Sequence, residues 1–378
     1  MVTFLHTADW QIGKQFSNIG GDASAFLRER RIDAVKKIAK IAEERKVDAV
    51  LVAGDVFETN LVEGKTIRQT LSSMTEHFSG KWILIPGNHD SAEVNSVWTR
   101  IKAIISSERI IILDQPQPYY LQDASTVILP APLQRRHDSR DLTSWFDQCE
   151  TDPNLVRIGL AHGSLDNRLQ FRGEAPNTIA DTRAETAKLD YFALGDWHGT
   201  VNIAARTWYS GTPEPDRFRE NDCGNILYVE IDGPGKEPRV EAIPTGHYMW
   251  LQHDQSIFQA EDMDNVKQML QATGHPLDQI LLRLNLEGTV NLETRSMIQL
   301  ELDKCTADLR YLEVDDSKLL ANPTADDLDD IAKTGFVRKA VNKLAAIAKD
   351  EDNPDCENAR FALQLLYVEH KNLEPIKC

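Results

Sequence analysis

Along the first 250 residues, short apolar runs with strand character fall at 3–9, 47–55, 82–86, 110–113, 126–129, 156–162, 191–195 and 225–231. The run Ala49-Val50-Leu51-Val52-Ala53 has no polar interruption, which predicts a strand buried on both faces. Between the early runs, residues 25–46 and 64–78 place apolar side chains three and four apart, the spacing of amphipathic helices. Helix and strand in alternation predict a layered α/β core. Fewer helices separate the later strands, which predicts mixed or antiparallel pairing there. A boundary is expected near 244–255. Beyond it, 280–286 and 309–314 alternate as strands around a helical stretch at 292–304, a small β-α-β cap. An acidic, proline-containing stretch at 322–330 reads as a linker, and 335–349 and 358–370 as two amphipathic helices. The expected domains are therefore 1–250, 251–320 and 321–378. No internal repeat or low-complexity tract interrupts them.

The chain has 378 residues, enough for two or three domains with a sizeable core. Its net charge is −17, of which −10 falls on residues 251–378. Nucleic-acid binders usually carry a basic footprint, because neutralising phosphates supplies most of their affinity. If this chain acts on nucleic acid, bound metals, local arginines or a partner must supply the positive field. No apolar run has the length of a membrane span, and the amino terminus lacks the basic-then-apolar order of a signal peptide. The five cysteines, Cys149, Cys223, Cys305, Cys356 and Cys378, show no Cys-x-x-Cys spacing, which points to reduced thiols and a cytoplasmic protein.

Several strand runs end in metal-binding residue types followed by a turn signal. They give Asp9-Trp10-Gln11-Ile12-Gly13, Gly54-Asp55, Gly87-Asn88-His89-Asp90, His162-Gly163 and Gly195-Asp196-Trp197-His198-Gly199. Ligands of open α/β sheets bind beyond the carboxyl ends of strands, so five such ends can converge on one point. Carboxylate, imidazole and amide oxygen together suit manganese, iron, zinc or magnesium. Two such ions about 3.5–4 Å apart can clamp a phosphoryl group and generate hydroxide at neutral pH. Taken singly, each residue has an ordinary reading. A lone Asp at a strand end forms a turn or caps a helix, a lone His is a hydrogen-bonded structural residue, and Gly-Asn-His-Asp makes a turn. The order and spacing of the set carry the metal reading.

That order resembles the calcineurin-like metallophosphoesterase superfamily. His6-Thr7-Ala8-Asp9-Trp10 and Tyr209-Ser210-Gly211-Thr212-Pro213-Glu214 further resemble its SbcD-type DNA repair exonucleases. The motifs cover residues 3–215, and the strand-helix-strand stretch at 280–315 is compatible with the capping domain of that branch. The resemblance implies a four-layer sandwich of mixed β-sheets flanked by helices, with a small α/β cap. It implies two divalent metal ions, manganese by preference and magnesium as an alternative. Asp55 would bridge them, Asp9 and His198 would serve the first, and Asn88 and His162 the second. His89 would act as general acid with Asp90 orienting its ring. The implied reaction is hydrolysis of DNA phosphodiester bonds by hydroxide activated between two metals, as a 3′-5′ exonuclease or an endonuclease. The implied partners are DNA, an SbcC-like coiled-coil ATPase and a second copy of the chain, in repair or in defence against foreign DNA. The chain has no Gly-x-x-x-x-Gly-Lys-Ser/Thr motif, so ATP hydrolysis would come from that partner.

Two positions depart from the family pattern. Gln11 stands where a histidine is usual, and Asp196 replaces the first histidine of Gly-His-x-His. With both as ligands, the site exchanges two neutral nitrogens for two oxygens and shifts toward manganese or magnesium; the alternative is that Gln11 has left the coordination sphere and the first metal is weak. Arg135, Arg136, His137, Arg140, Arg168, Arg172, Arg206, Arg217 and Arg219 lie near the motifs and suit phosphate oxygens, although such residues also simply solvate a surface. Phe336, Val337, Ala340, Val341 and Leu344, with Phe361, Leu365 and Leu366, offer helical faces for docking the ATPase or for packing within the chain. Two other functions fit the same residues. One is a phosphodiesterase acting on a small molecule such as a cyclic nucleotide. The other is a catalytically weakened structural subunit of a DNA-processing complex.

Overall fold

The structure is a computed structural model; it describes residues 1–373 except 106, 122–123, 167–176, 220, 323 and 333. The chain divides into two compact units, Met1–Tyr248 and Met249–Cys378.

In the first unit the elements follow as β1 (Val2–Thr7), α1 (Ala23–Arg45), β2 (Ala49–Val52), α2 (Gly64–Thr75), β3 (Lys81–Leu84), α3 (Val97–Ile104), β4 (Ile110–Ile112), β5 (Tyr119–Leu121) and β6 (Thr126–Ala131). There follow β7 (Val156–His162), β8 (Ser164–Leu165), β9 (Thr178–Ile179), α4 (Arg183–Thr186), β10 (Tyr191–Gly195), β11 (Val201–Ala204), β12 (Thr207–Tyr209), β13 (Asn225–Ile231) and β14 (Arg239–Pro244). One six-stranded sheet runs β14-β13-β1-β2-β3-β4 and the other β11-β12-β10-β7-β6-β5. Each has a parallel centre, β1 to β4 in the first and β12-β10-β7-β6 in the second, with antiparallel strands added at its edges.

The period of two along each strand builds the layers. Leu5, Val50, Val52, Trp82 and Leu84 face α1, α2 and α3, where they meet Val35, Ile38, Ile67 and Trp98. Phe4, Ala49, Leu51 and Ile83 face the other way, onto Ile128, Ile158, Leu160, Tyr191 and Ala193 of the second sheet. The far face of that sheet packs Val127, Leu129, Phe192 and Leu194 against Phe146, on the short turn Ser144–Gln148, and Ala187, at the end of α4. The result is the expected sandwich of two mixed sheets flanked by helices. His6 crosses between the sheets. One ring nitrogen meets the Tyr191 hydroxyl at 3.0 Å and the other the Leu194 carbonyl at 3.2 Å.

The second unit opens on β15 (Met249–Ile257), α5 (Met263–Ala272), β16 (Ile280–Val290), α6 (Leu292–Asp308) and β17 (Tyr311–Ala321). The three strands are parallel in the order β15-β16-β17, with α5 and α6 as the crossovers. The region expected as a boundary near 244–255 thus supplies an additional strand. The acidic stretch expected as a linker is instead helical, as α7 (Ala325–Ile331). Thr324 caps it, accepting from the Asp327 amide at 3.1 Å while Asp327 reaches back to the Thr324 amide at 2.7 Å. Pro323 lies outside the described residues. The chain continues as α8 (Gly335–Lys349) and α9 (Cys356–Leu373), which share a core with Leu292 of α6 through Val341, Ala345, Ala359 and Leu363. Val341, Leu344 and Leu366 therefore serve intramolecular packing, whereas Phe336, Val337, Phe361 and Leu365 are exposed. Among the described residues, no helix is long and apolar enough to cross a membrane.

Candidate metal centre

Parallel pairing brings the carboxyl ends of β1, β2, β3, β7 and β10 to one edge of the sandwich, and the motif residues occupy the turns just beyond. These turns interlock. The Asp9 amide donates to the Gly54 carbonyl at 3.1 Å, the Gln11 amide to Asp55 at 3.0 Å, and the Gly163 amide to Gly195 at 3.1 Å. Asp9, Gln11, Asp55 and Asp196 all have positive φ, at 54°, 50°, 54° and 101°. L-residues rarely hold that geometry, and such strain gathers where a side chain must be aimed. Two glycines permit the close approach. A Cβ on Gly54 would lie 2.9 Å from the Gly87 Cα and collide with the His162 ring. One on Gly195 would meet the Ala53 carbonyl and lie 2.8 Å from His162 Nδ1.

Asp9, Asp55 and His162 are buried and offer ligand atoms that all lie within 4.8 Å of one another. His162 donates from Nδ1 to the Ala53 carbonyl at 2.8 Å, which aims Nε2 into the centre. Around Nε2 stand Asn88 Oδ1 at 3.1 Å, Asp55 Oδ1 at 3.5 Å and Asp196 Oδ1 at 3.9 Å. Asp196 is held by the Ser164 hydroxyl at 2.9 Å, and its amide donates to the Asp9 carboxylate at 3.1 Å. His198 Nε2 lies 4.0 Å from Asp9 Oδ1, and its Nδ1 meets Asp216 at 3.2 Å. Gln11 donates from Nε2 to Asp55 Oδ2 at 2.7 Å. The Gln11 Oε1 atom is buried and has no hydrogen-bond partner among the described residues. An orphaned buried carbonyl costs about 1–3 kcal/mol, and a cation nearby would satisfy it. Three carboxylates, two imidazoles and two amide oxygens are a donor set that fits hard divalent ions.

The electrostatics show the strain of gathering these groups. Burial, reinforced by Asp55 and Asp196 and opposed by His198 and His162, raises the Asp9 carboxyl to about 6. Burial lowers the basicity of His162, but Asp55, Asp9, Asp196 and the bond to Ala53 outweigh it and lift the ring to about 9. A proton on Nε2 then does between Asn88 and Asp55 what a cation would do.

His89 is half-buried above the centre. Its amide donates to Asp55 Oδ1 at 2.9 Å, and its Nδ1 meets the Glu58 carbonyl at 3.0 Å. The expected contact from Asp90 to that ring is not made. Asp90 turns inward and accepts from the amides of Gly87 at 2.7 Å and Phe57 at 3.0 Å, while its carbonyl accepts from the Trp98 indole. Burial, then the Asp55 charge, pushes its carboxyl up to about 7. Asp90 shapes the loop, and Glu58 orients the imidazole.

Residues 2–199 match the Calcineurin-like phosphoesterase family pattern, a span that holds every one of these side chains except Asp216. The chain belongs to that family. It is 23% identical over 264 residues to the SbcD component of the nuclease SbcCD from Escherichia coli K12, covering 60% of this chain and 64% of that protein. To the SbcD component of the Bacillus subtilis nuclease SbcCD it is 28% identical over 267 residues, covering 62% and 67%. To the DNA double-strand break repair protein Mre11 of Aeropyrum pernix it is 25% identical over 256 residues, covering 62% and 59%. The chain thus spans 64% of the length of the Escherichia coli relative.

This calcineurin-like phosphoesterase adds side chains to its site that its motifs do not announce. Arg31 of α1 is buried and donates to the carbonyls of Trp10 at 2.6 Å and Glu214 at 3.1 Å and to the Thr212 hydroxyl at 3.1 Å. It ties the Asp9–Gln11 turn to the Thr212–Glu214 turn. Glu214 in turn accepts from the amides of His247 at 2.8 Å and Tyr248 at 3.0 Å. Asp216 collects Lys14 at 2.7 Å, Arg217 at 2.9 Å and His198. Burial works against its ionisation, but His198, Arg217 and Arg31 hold it well below the usual carboxylate range. Among the arginines expected near the site, Arg217 lies against the His198 ring and Arg219 sits 4.5 Å over Trp197. Arg135 and Arg140 share Asp138. Arg206 pairs with Asp190 just before β12, at the opposite edge of the sheet from the centre. Arg168 and Arg172 lie outside the described residues.

Proposed function

We propose that this phosphoesterase is a metal-dependent DNA nuclease subunit, with divalent ions held among Asp9, Gln11, Asp55, Asn88, His162, Asp196 and His198. The observation that carries the reading is the buried Asp9–Asp55–His162 cluster with Nε2 aimed inward, in a chain whose relatives are named for the SbcCD nuclease and for Mre11. When bound, such ions neutralise phosphoryl oxygens and lower the pKa of water. Manganese is the ion of choice, with magnesium next, because oxygens outnumber nitrogens in the donor set. His89, turned by the Glu58 carbonyl, presents Nε2 to the leaving oxygen and protonates it. Arg217, beside His198, meets the non-bridging oxygens.

The 3′-5′ polarity, the homodimer and the SbcC-like ATPase belong to this same proposal. Support for the ATPase is the exposed Phe336, Val337, Phe361 and Leu365 on α8 and α9, together with the relatives' names. A net charge of −17 suits a subunit that leaves bulk DNA binding to a partner in the cytoplasm.

The test is digestion of a 3′-labelled duplex with manganese, magnesium or zinc, set beside a cyclic-nucleotide substrate. Manganese-dependent release of nucleotides from the duplex is expected. His89→Gln should lose about 10²–10⁴-fold in kcat with its metal content unchanged. Turnover of the cyclic nucleotide alone would point to the small-molecule reading, and full activity in both Asp55→Ala and His89→Gln would remove this site from the chemistry.

A further inference from the structure

The two sides of Asp55 are chemically different. On the His162 side, acceptor atoms converge, and the donors among them are the ring itself and the His89 backbone amide, which reaches Asp55 Oδ1 at 2.9 Å. Asn88 Oδ1, Asp55 Oδ1 and Asp196 Oδ1 lie 3.1, 3.5 and 3.9 Å from Nε2. On the other side, side-chain N–H groups and a fixed positive charge already occupy the space beside the ligand atoms. Gln11 Nε2 donates to Asp55 Oδ2 at 2.7 Å. His198 commits Nδ1 to Asp216, leaving Nε2 toward Asp9, and Arg217 Nη2 lies against the ring, 3.0 Å from Nδ1 and 3.3 Å from Nε2. Arg217 is not loosely placed. Its Nε and Nη2 are anchored on Asp216 at 2.9 and 3.0 Å, and Asp216 is buried.

We propose that the centre is unequal. One divalent ion is held tightly among Asp55, Asn88, His162 and Asp196, and the position between Gln11 and His198 is weak, with the Arg217 guanidinium carrying positive charge beside it. This rests on reading these side chains as metal ligands. A second ion must displace the Gln11 amide from a carboxylate and then sit beside a guanidinium that cannot deprotonate. Losing a hydrogen bond to a charged group alone weakens binding by about 10–100-fold. The weak position fills more readily once a further anion, such as a substrate phosphoryl group, draws Arg217 away from His198.

The test counts ions without turnover. The full chain is stripped with chelator and titrated with manganese by calorimetry, and the metal retained after gel filtration is measured by elemental analysis. One tight equivalent is expected, with a second at least about tenfold weaker. Gln11→His supplies a ring nitrogen without the second amide proton, and Arg217→Gln removes the charge. Each should bring a second equivalent into the tight class, with circular dichroism confirming the fold. Two equal tight equivalents in the wild type, none at all, or a count that stays at one in both variants would overturn the proposal. The nuclease reading stands or falls separately, on hydrolysis of the labelled duplex.

Discussion

His6 ties the stability of the first unit to pH. Its ring is buried between the sheets, and its two nitrogens are matched in the neutral form, one accepting from the Tyr191 hydroxyl and one donating to the Leu194 carbonyl. A second ring proton would face the hydroxyl and have no carbonyl to meet. Burial, only partly offset by the Leu194 bond, lowers the ring from 6.5 to about 3. The folded value lies below the unfolded one, so the stabilisation is complete above pH 6.5 and is lost as pH falls toward 3. At about 1.4 kcal/mol per unit of pKa, the loss is about 2 kcal/mol by pH 5 and about 5 kcal/mol below pH 3. His6→Gln keeps an acceptor and a donor but does not titrate. Urea unfolding of both proteins can be followed by tryptophan fluorescence, since Trp250 alone of the seven tryptophans lies outside the first unit. The gap between wild type and variant should be constant above pH 7.5 and should narrow by about 2 kcal/mol at pH 5. Raised carboxyls such as Asp9 and Asp90 change stability in the opposite sense, but both proteins share them and they cancel in the difference. Parallel stability curves from pH 8 to pH 5 would refute the argument.

Three further outcomes follow from the same geometry. Gly195→Ala drives a methyl group into the Ala53 carbonyl and the His162 ring, and it should cost about 2–3 kcal/mol in urea unfolding and abolish tight metal uptake. His162, lifted to about 9, is protonated at pH 7, so calorimetry in two buffers of different ionisation enthalpy should show close to one proton released per ion bound, with affinity rising as pH approaches 9. Manganese at one hundred times its Kd should stabilise the first unit by about 2.7 kcal/mol and raise its Tm by roughly 5–10 °C, a shift that Asp55→Ala should erase.

The parts of the fold that could be read from the sequence are those where burial leaves no ambiguity. β7, β10 and β13 match their expected bounds because they are buried along most of their length and are mainly apolar. β14 exposes four of its six residues and offers no apolar run, and β15 alternates beside an expected boundary. α3 has eight residues and announces itself only through Ser96, whose side chain accepts from the Thr99 amide. At the site, strand-end motifs point to the facing residues, because sheet topology alone brings those ends together. Neighbours in sequence are a poorer guide. Asp90 follows His89, but its carboxylate turns to backbone amides on the other side of the loop. Asp216 and Arg31 belong to no local pattern, because their partners are distant in sequence. Arg31 does leave a signal, as the one charged residue in the buried stripe Leu27, Arg31, Ala34, Val35 and Ile38 of α1.

The bond between the Asp196 amide and the Asp9 carboxylate spans 187 positions of chain, and that span bears on biosynthesis. A nascent chain that has emerged only through the loop after β3 carries Asp9, Asp55 and Asn88, but His162 and Asp196 are still to come, and the cage cannot close. Closure waits for the second sheet to dock, a late event of high contact order. Uptake of the proposed ions would therefore mark a completed first unit, and chains that stop short of the second sheet cannot assemble the cluster.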